Sequence, residues 1–150
     1  MKLSEMNPES KLWLYQCNRP LTQTEMAWTQ EQIDAFVVEW AAHGTRLKAA
    51  GSVLNPYFIA LAVDRTQADA SGCSIDSSVR FLKQLGQELN IDFFNRLYHW
   101  VELPSGEVVK VHFKKLTEYS EGFVFNPLLT RLGDLEDKFK VEVSELYATI

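Results

Sequence analysis

The run Tyr57-Phe-Ile-Ala-Leu-Ala-Val63 is apolar at every position, and a strand with no polar face has to be covered on both sides. A chain containing it must therefore build layers above and below a central strand. Asn55-Pro56 immediately ahead of the run is a turn signal, so Leu47–Leu54 and Tyr57–Val63 read as a hairpin that feeds this strand.

The flanking segments supply partners. Lys11–Cys17 is rich in aromatic and apolar residues and closes at Asn18-Arg19-Pro20, as a first strand would. Thr22-Gln-Thr-Glu25 has the pattern of a capping box, with Leu21 and Met26 placed as a hydrophobic staple. Ile33, Phe36, Val37, Trp40 and Ala41 then recur at helical spacing, which predicts a helix running to Gly44 with His43 in its last turn on the buried side. Asp64–Gly72 is polar and small, and predicts a loop. A second helix follows on the stripe Ile75, Val79, Leu82, Leu85 and Leu89, with Ser74 as N-cap, Asp76 in the first turn and Arg80 spaced to pair with Asp76.

Arg96–Leu103 and Glu107–Phe113 alternate around Pro104-Ser105-Gly106 and predict a β-hairpin. Its two histidines, His99 and His112, sit on facing strands whose register the sequence leaves open, and both read as structural. Beyond it the pattern gives a short helix over 114–119, a strand at Phe123-Val124-Phe125, and a helix over Leu132, Leu135 and Phe139. The order β-α-β-β-α-β fits an α+β fold, a ferredoxin-like core with an extra hairpin strand and a small C-terminal extension. Another two-layer α/β sandwich is the alternative.

The chain has 150 residues, the size of a single domain spanning 1–150, with residues 1–10 as a flexible lead. Twenty acidic residues against 15 basic ones, the latter scattered, disfavour nucleic acid as a partner. Residues 1–10 lack the apolar core of a secretory signal and no segment approaches a membrane span, so a cytoplasmic location without membrane insertion is expected. Cys17 and Cys73 have no paired spacing and read as free thiols. His43, Asp64, Cys73 and Asp76 are ligand types without diagnostic spacing, so neither a metal site nor a cofactor is expected.

One junction stands out for function. Ser71-Gly72-Cys73-Ser74 leaves the loop after a buried strand and enters a helix N-terminus, where outward-pointing amides carry partial positive charge. The leading expectation is a non-catalytic domain that binds a small molecule or a protein through the Ser71–Ser78 segment, with Ser71, Gly72, Ser74, Asp76, Ser77, Asp64, Asn18, Arg19 and Asn126 as ligand-binding candidates. Trp28 and Trp100 are candidates for an exposed pocket or partner surface, and an edge strand would favour a homodimer. The alternative is a thiol-dependent enzyme with Cys73 as nucleophile and His43 as base, the helix field favouring the thiolate while Asp76 opposes it.

The segments Tyr15–Arg19, Trp40–Gly44, Val63-Asp64, Ala70–Ser78 and Val124–Asn126, most distinctively Ala-Ser-Gly-Cys-Ser-Ile-Asp, resemble a family of small uncharacterised bacterial proteins often labelled "ABC transporter ATPase". Nucleotide hydrolysis of that type needs a glycine-rich loop ending in Gly-Lys-Ser/Thr, and no Gly-Lys pair occurs in this chain. The resemblance thus implies at most a partner of a transporter ATPase, and it brings no functional residues with it.

Overall fold

The computed structural model describes residues 2–42, 44–66 and 68–149. Strand β1 (Lys11–Gln16) leads through a connection ending at Thr22 into helix α1 (Gln23–Glu39). The capping box forms as the sequence predicts: Thr22 Oγ1 accepts from the Glu25 amide at 3.1 Å and Glu25 Oε1 accepts from the Thr22 amide at 2.9 Å.

The helix stops at Glu39, five residues short of the expected Gly44 terminus. Trp40 is extended (φ −68°, ψ 126°), which sends its buried indole toward the next helix, where Nε1 donates to Ser74 O at 2.8 Å. That anchor outweighs the helical periodicity of the residues around it. Ala41–Ala42 (β2) then pairs with Thr45–Arg46 (β3), and Gly44 takes φ +79° in the turn rather than as a helix terminator. His43 lies outside the described residues.

Strands β4 (Lys48–Asn55) and β5 (Phe58–Asp64) form the expected hairpin, with a bulge between Val53 and Asn55. β5 is central, in the order β1-β5-β4, with both pairings antiparallel. All seven of its residues are buried, Phe58–Val63 as their uninterrupted apolar run demands and Asp64 with its carboxylate held by Thr66. One face, through Ile59, Leu61 and Val63, packs with Ile33 of α1 and with Leu82, Leu85 and Leu89 of helix α2 (Gly72–Leu89). Gln30 fastens α1 to β4 by donating to Gly51 O at 3.1 Å and accepting from the Val53 amide at 2.9 Å.

The N-cap of α2 is Ser71, not Ser74. Ser71 Oγ accepts from the Ser74 amide and Ser74 Oγ accepts from the Ser71 amide, so Ser74 is the buried third-position partner of the box. Arg80 donates to Ser77 Oγ instead of pairing with Asp76. α2 closes on Asn90 in the left-handed region (φ 55°), whose amide bonds to Gly86 O, and the chain folds back so that the Ile91 amide reaches the same oxygen at 2.9 Å.

Downstream lie β6 (Tyr98–Glu102), β7 (Val108–His112), a 3₁₀ segment over Phe113–Tyr119, β8 (Phe123–Phe125), a short α3 (Leu135–Lys138) preceded by a 3₁₀ turn, β9 (Lys140–Glu142) and α4 (Val143–Thr149). The four strands form a second antiparallel sheet, β7-β6-β8-β9. The late hairpin is as expected, and its register sets His99 opposite Val111 and His112 opposite Tyr98. The predicted helix over Leu132, Leu135 and Phe139 is broken into the 3₁₀ turn and α3.

The fold is α+β, with mixed helices and antiparallel sheets. A ferredoxin-like sheet would seat β6 along the free edge of β1. Instead that edge meets residues 130–131, the Leu12 amide bonding Thr130 O at 3.0 Å and Lys11 bridging Arg131. β6 makes its ladder with β7 and β8. Trp100 explains the departure. Its buried ring packs against Tyr57 at a tilt of 39° with centroids 4.4 Å apart, and its indole N–H donates to Cys17 O at 2.8 Å, drawing β6 toward the sheet face formed by Leu12, Leu14, Phe58, Ala60 and Ala62.

Residues 2–10 are joined to the C-terminal half, since the Leu132 amide bonds Ser10 O and the Gly133 amide bonds Pro8 O. No described helix is long and apolar enough to cross a membrane.

The turn at the end of α2 yields a test of this packing. A Cβ on Gly86 would stand 2.5 Å from the backbone oxygen of Ile91. Alanine ordinarily gains about 1 kcal/mol over glycine inside a helix, yet Gly86→Ala is expected to destabilise the protein by about 2 kcal/mol because backbone must move. Chemical denaturation checks this, and an unchanged or raised midpoint would contradict the close approach.

Candidate ligand-binding cleft

The segment singled out in the sequence is occupied by its own hydrogen bonds. Ser74 Oγ donates to Ser71 O at 2.8 Å, Ser77 Oγ to Cys73 O at 3.0 Å and Ser78 Oγ to Ile75 O at 2.6 Å. Gly72 has open space where a Cβ would stand, so no close approach requires a glycine there. Asp76 is exposed.

The remaining candidates are likewise engaged. Arg19 forms a two-pronged pair with Glu25 at 2.9 and 2.8 Å and also donates to Leu89 O, tying the start of α1 to the end of α2. That guanidinium, together with the Thr22 amide, holds the Glu25 carboxyl at about 2, far below its ordinary range. Asn18 Oδ1 accepts from the Asp92 amide, and Asn126 Oδ1 from the Leu128 amide. Asp64, buried at the end of β5, accepts from the Thr66 amide and hydroxyl and meets Lys48 at 3.6 Å, which together lower its pKa. Asn18 and Asp64 line different surface depressions, so these residues do not build one pocket.

Cys73 is exposed and Cys17 buried, both as free thiols. Burial pushes the Cys17 thiol up to about 12. Among the described residues no group of three or more His, Cys, Asp or Glu is arranged to hold a metal ion. Of the two tryptophans set aside for a surface role, Trp100 is buried and Trp28 packs against the α1–α2 side of the core.

A cleft of about 300 Å³ opens elsewhere, where β1 ends beneath the start of β6. Leu14 and Gln16 of β1 form part of it, with Phe93, Asn95 and Arg96 from the connection after α2, Tyr98 and His99 of β6, Phe113 after β7, and Pro127 and Leu128 after β8. The lining is mostly apolar, the usual composition of a small-molecule pocket, and its size lies at the small end of that class. Phe113 and Leu128 are 44% and 45% exposed, so apolar surface continues to the rim.

Within this apolar setting two buried polar side chains carry unpartnered atoms. Gln16 is 9% exposed, and its Nε2 donates to Tyr98 O at 2.7 Å, which fixes the amide orientation because the reverse would set oxygen against oxygen. Its Oε1 has no partner. His99 is 8% exposed, and its Nδ1 has none either. A buried polar atom left unpaired costs about 1–3 kcal/mol, and both of these atoms are closed off from the open space of the cleft.

Sequence reasoning missed both. The detectable signal was Gln16, a polar residue on the face that Leu12 and Leu14 turn to the core. His99 gave none, because the faces of β6 and β7 cannot be told apart from their alternation.

Comparison with protein-family models, with curated proteins and with solved structures finds no match to this chain.

Two outcomes follow from the thiol and imidazole environments. In the native protein a thiol reagent is expected to modify Cys73 readily and leave Cys17 untouched, with both reacting after unfolding; mass spectrometry of the labelled chain reads this, and rapid native labelling of Cys17 would contradict its burial. Burial also lowers the pKa of His99 from 6.5. The unfolded state therefore binds the proton first, so stability falls as pH drops below about 6.5 and levels off once the native imidazole is protonated. Denaturation midpoints at pH 7.5 and 5.5 should differ in wild type by more than in His99→Leu, and equal differences would show that His99 does not contribute.

Proposed function

We propose that this protein is a binding domain for a small, predominantly apolar molecule, taken up in the cleft between β1 and β6. One observation carries the reading: a mostly apolar cleft of about 300 Å³ opens between β1 and β6, with the polar residues Gln16, Asn95, Arg96 and His99 among its lining. Apolar walls supply affinity through burial, and a small number of polar atoms supply orientation, which is the general design of such pockets. This keeps the non-catalytic function expected from the sequence and moves its location from Ser71–Ser78 to the cleft.

The competing reading, a thiol-dependent enzyme with Cys73 as nucleophile and His43 as base, has in its favour the exposure of Cys73 at the second position of α2. Its proposed base, His43, lies outside the described residues. Kinship with the small bacterial family, and with it association with a transporter ATPase, rests on the sequence resemblance alone. A ferredoxin-like arrangement of the β1-α1-β4-β5-α2 unit, whose three long strands keep the order β1-β5-β4, is likewise a proposal.

The two locations separate in one experiment. A set of small aromatic fragments is titrated into isotopically labelled protein and the backbone amide shifts are followed. The expected result is that fragment hits converge on the amides of Leu14, Gln16, Phe93, His99 and Phe113. Convergence on Ser71–Ser78, or shifts scattered over the whole surface, would overturn the cleft as the binding site.

A further inference from the structure

The sheet β1-β5-β4 has two outer edges, and a different kind of group occupies each. Along β1 the occupant is backbone, with the Leu12 amide bonded to Thr130 O and Lys11 bridged to Arg131. Along β4 it is a side chain. Gln30 of α1 donates from Nε2 to Gly51 O at 3.1 Å and accepts at Oε1 from the Val53 amide at 2.9 Å. One side-chain amide thus makes the donor and acceptor contacts that the peptide groups of a neighbouring strand would make. We infer that Gln30 is an autoinhibitory contact: it occupies the place of an added strand and so prevents β4 from pairing with β4 of a second copy of this chain.

The position calls for such an occupant. Strand residues alternate in the side to which their backbone groups point, so with Gly51 and Val53 directed to Gln30, Ala49 shares the outer edge. Ala49-Ala-Gly-Ser-Val-Leu54 contains no charged residue and no proline, the usual deterrents on an exposed edge. Lys48 and the bulge between Val53 and Asn55 blunt only the two ends of the strand. A two-fold antiparallel pairing about Gly51 would set Ala49 opposite Val53 of the second copy and Lys48 opposite Leu54, so no like charges would meet.

Three further observations show a contact held from several sides. A Cβ on Gly51 would stand 2.5 Å from Ile33 Cγ2 and 2.8 Å from Leu61 Cδ2, so the glycine lets α1 approach β4 closely enough for Gln30, one turn before Ile33, to reach the edge. Gln30 Nε2 also donates to Asp34 Oδ1 at 2.9 Å, and reversing the amide would set Oε1 against both Gly51 O and Asp34 Oδ1. Val53 O, on the same outer edge, accepts from Ser52 Oγ at 3.2 Å.

Two substitutions separate edge closure from simple anchoring of α1. Gln30→Met keeps the length of the side chain and removes both bonds to β4; Gln30→Lys removes them too but leaves a charge at the edge, which deters strand pairing. Sedimentation over a concentration series and amide hydrogen exchange are measured on both variants and on wild type. Gln30→Met is expected to associate toward twice the wild-type mass as concentration rises. In dilute solution its Val53 amide should exchange about tenfold faster than in wild type, the loss of one hydrogen bond, and on association the Ala49, Gly51 and Val53 amides should regain protection. Gln30→Lys should sediment as wild type does. Where Gln30→Met does not fold, Gln30→Asn, one methylene too short to span to β4, carries the same comparison.

A Gln30→Met protein that sediments as wild type at every concentration would reduce Gln30 to an anchor for the helix and overturn the inference. Equal association of the Met and Lys variants, or protection gained outside β4, would overturn it as well, since exposed core and not a freed edge would then be the cause.

Discussion

The organisation of this protein depends on a single strand that is buried on both sides. β5 lies between β1 and β4, and every one of its residues is buried. Its odd-numbered side chains, Ile59, Leu61 and Val63, hold the two long helices, and its even-numbered ones, Phe58, Ala60 and Ala62, hold the C-terminal half. Strand geometry places successive side chains on opposite faces, so the two layers are joined through seven residues of backbone. A polar substitution on either face of β5 would bury an unpaired group in one of two cores.

The two faces differ in how closely they are approached. Large β-branched and leucine side chains on the helical side fill the space that two cylinders leave over a sheet. On the other side the small Ala60 and Ala62, together with Ala50 of β4, share a cluster with Trp100 and Leu132. Trp100 then makes two attachments at once, by packing against the Tyr57 ring and by donating to Cys17 O. A strand pinned by such a side chain onto the sheet face is unavailable to lie along the β1 edge, which is why the second sheet forms on its own axis of pairing.

Features governed by neighbouring residues were legible in the sequence, and features governed by distant ones were not. The apolar run of β5, the turn at Asn55-Pro56, the Thr22–Glu25 box and the Pro104–Gly106 hairpin are local patterns, and each appears where expected. The end of α1 is set by a bond from Trp40 to Ser74, 34 positions away, and helical periodicity carries no trace of it. The Ser71–Ser78 segment invited a functional reading because serines, glycine and a cysteine at a helix start suit ligands and capping equally well. Its hydroxyls are consumed by the helix itself. Arg19 was likewise a plausible ligand residue until its bidentate partner, Glu25, is seen six positions on.

The cleft joins pieces that only the tertiary structure brings together, and its construction bears on how it would select a ligand. Leu14 and Gln16 sit on β1, directly paired in register with Ala60 and Phe58 of the strand that anchors everything else. Positions on a strand so held are fixed more tightly than positions on loops. The opposing walls are different in kind, coming from the connection after α2 and from the residues that follow β7 and β8, with Phe113 and Leu128 partly in solvent. Adaptable walls adjust to the body of a ligand, whereas the fixed amide of Gln16, locked by Tyr98 O, does not rotate to suit one. Discrimination in such a cleft is therefore concentrated on fit to the rigid β1 floor, and tolerance is concentrated at the apolar mouth.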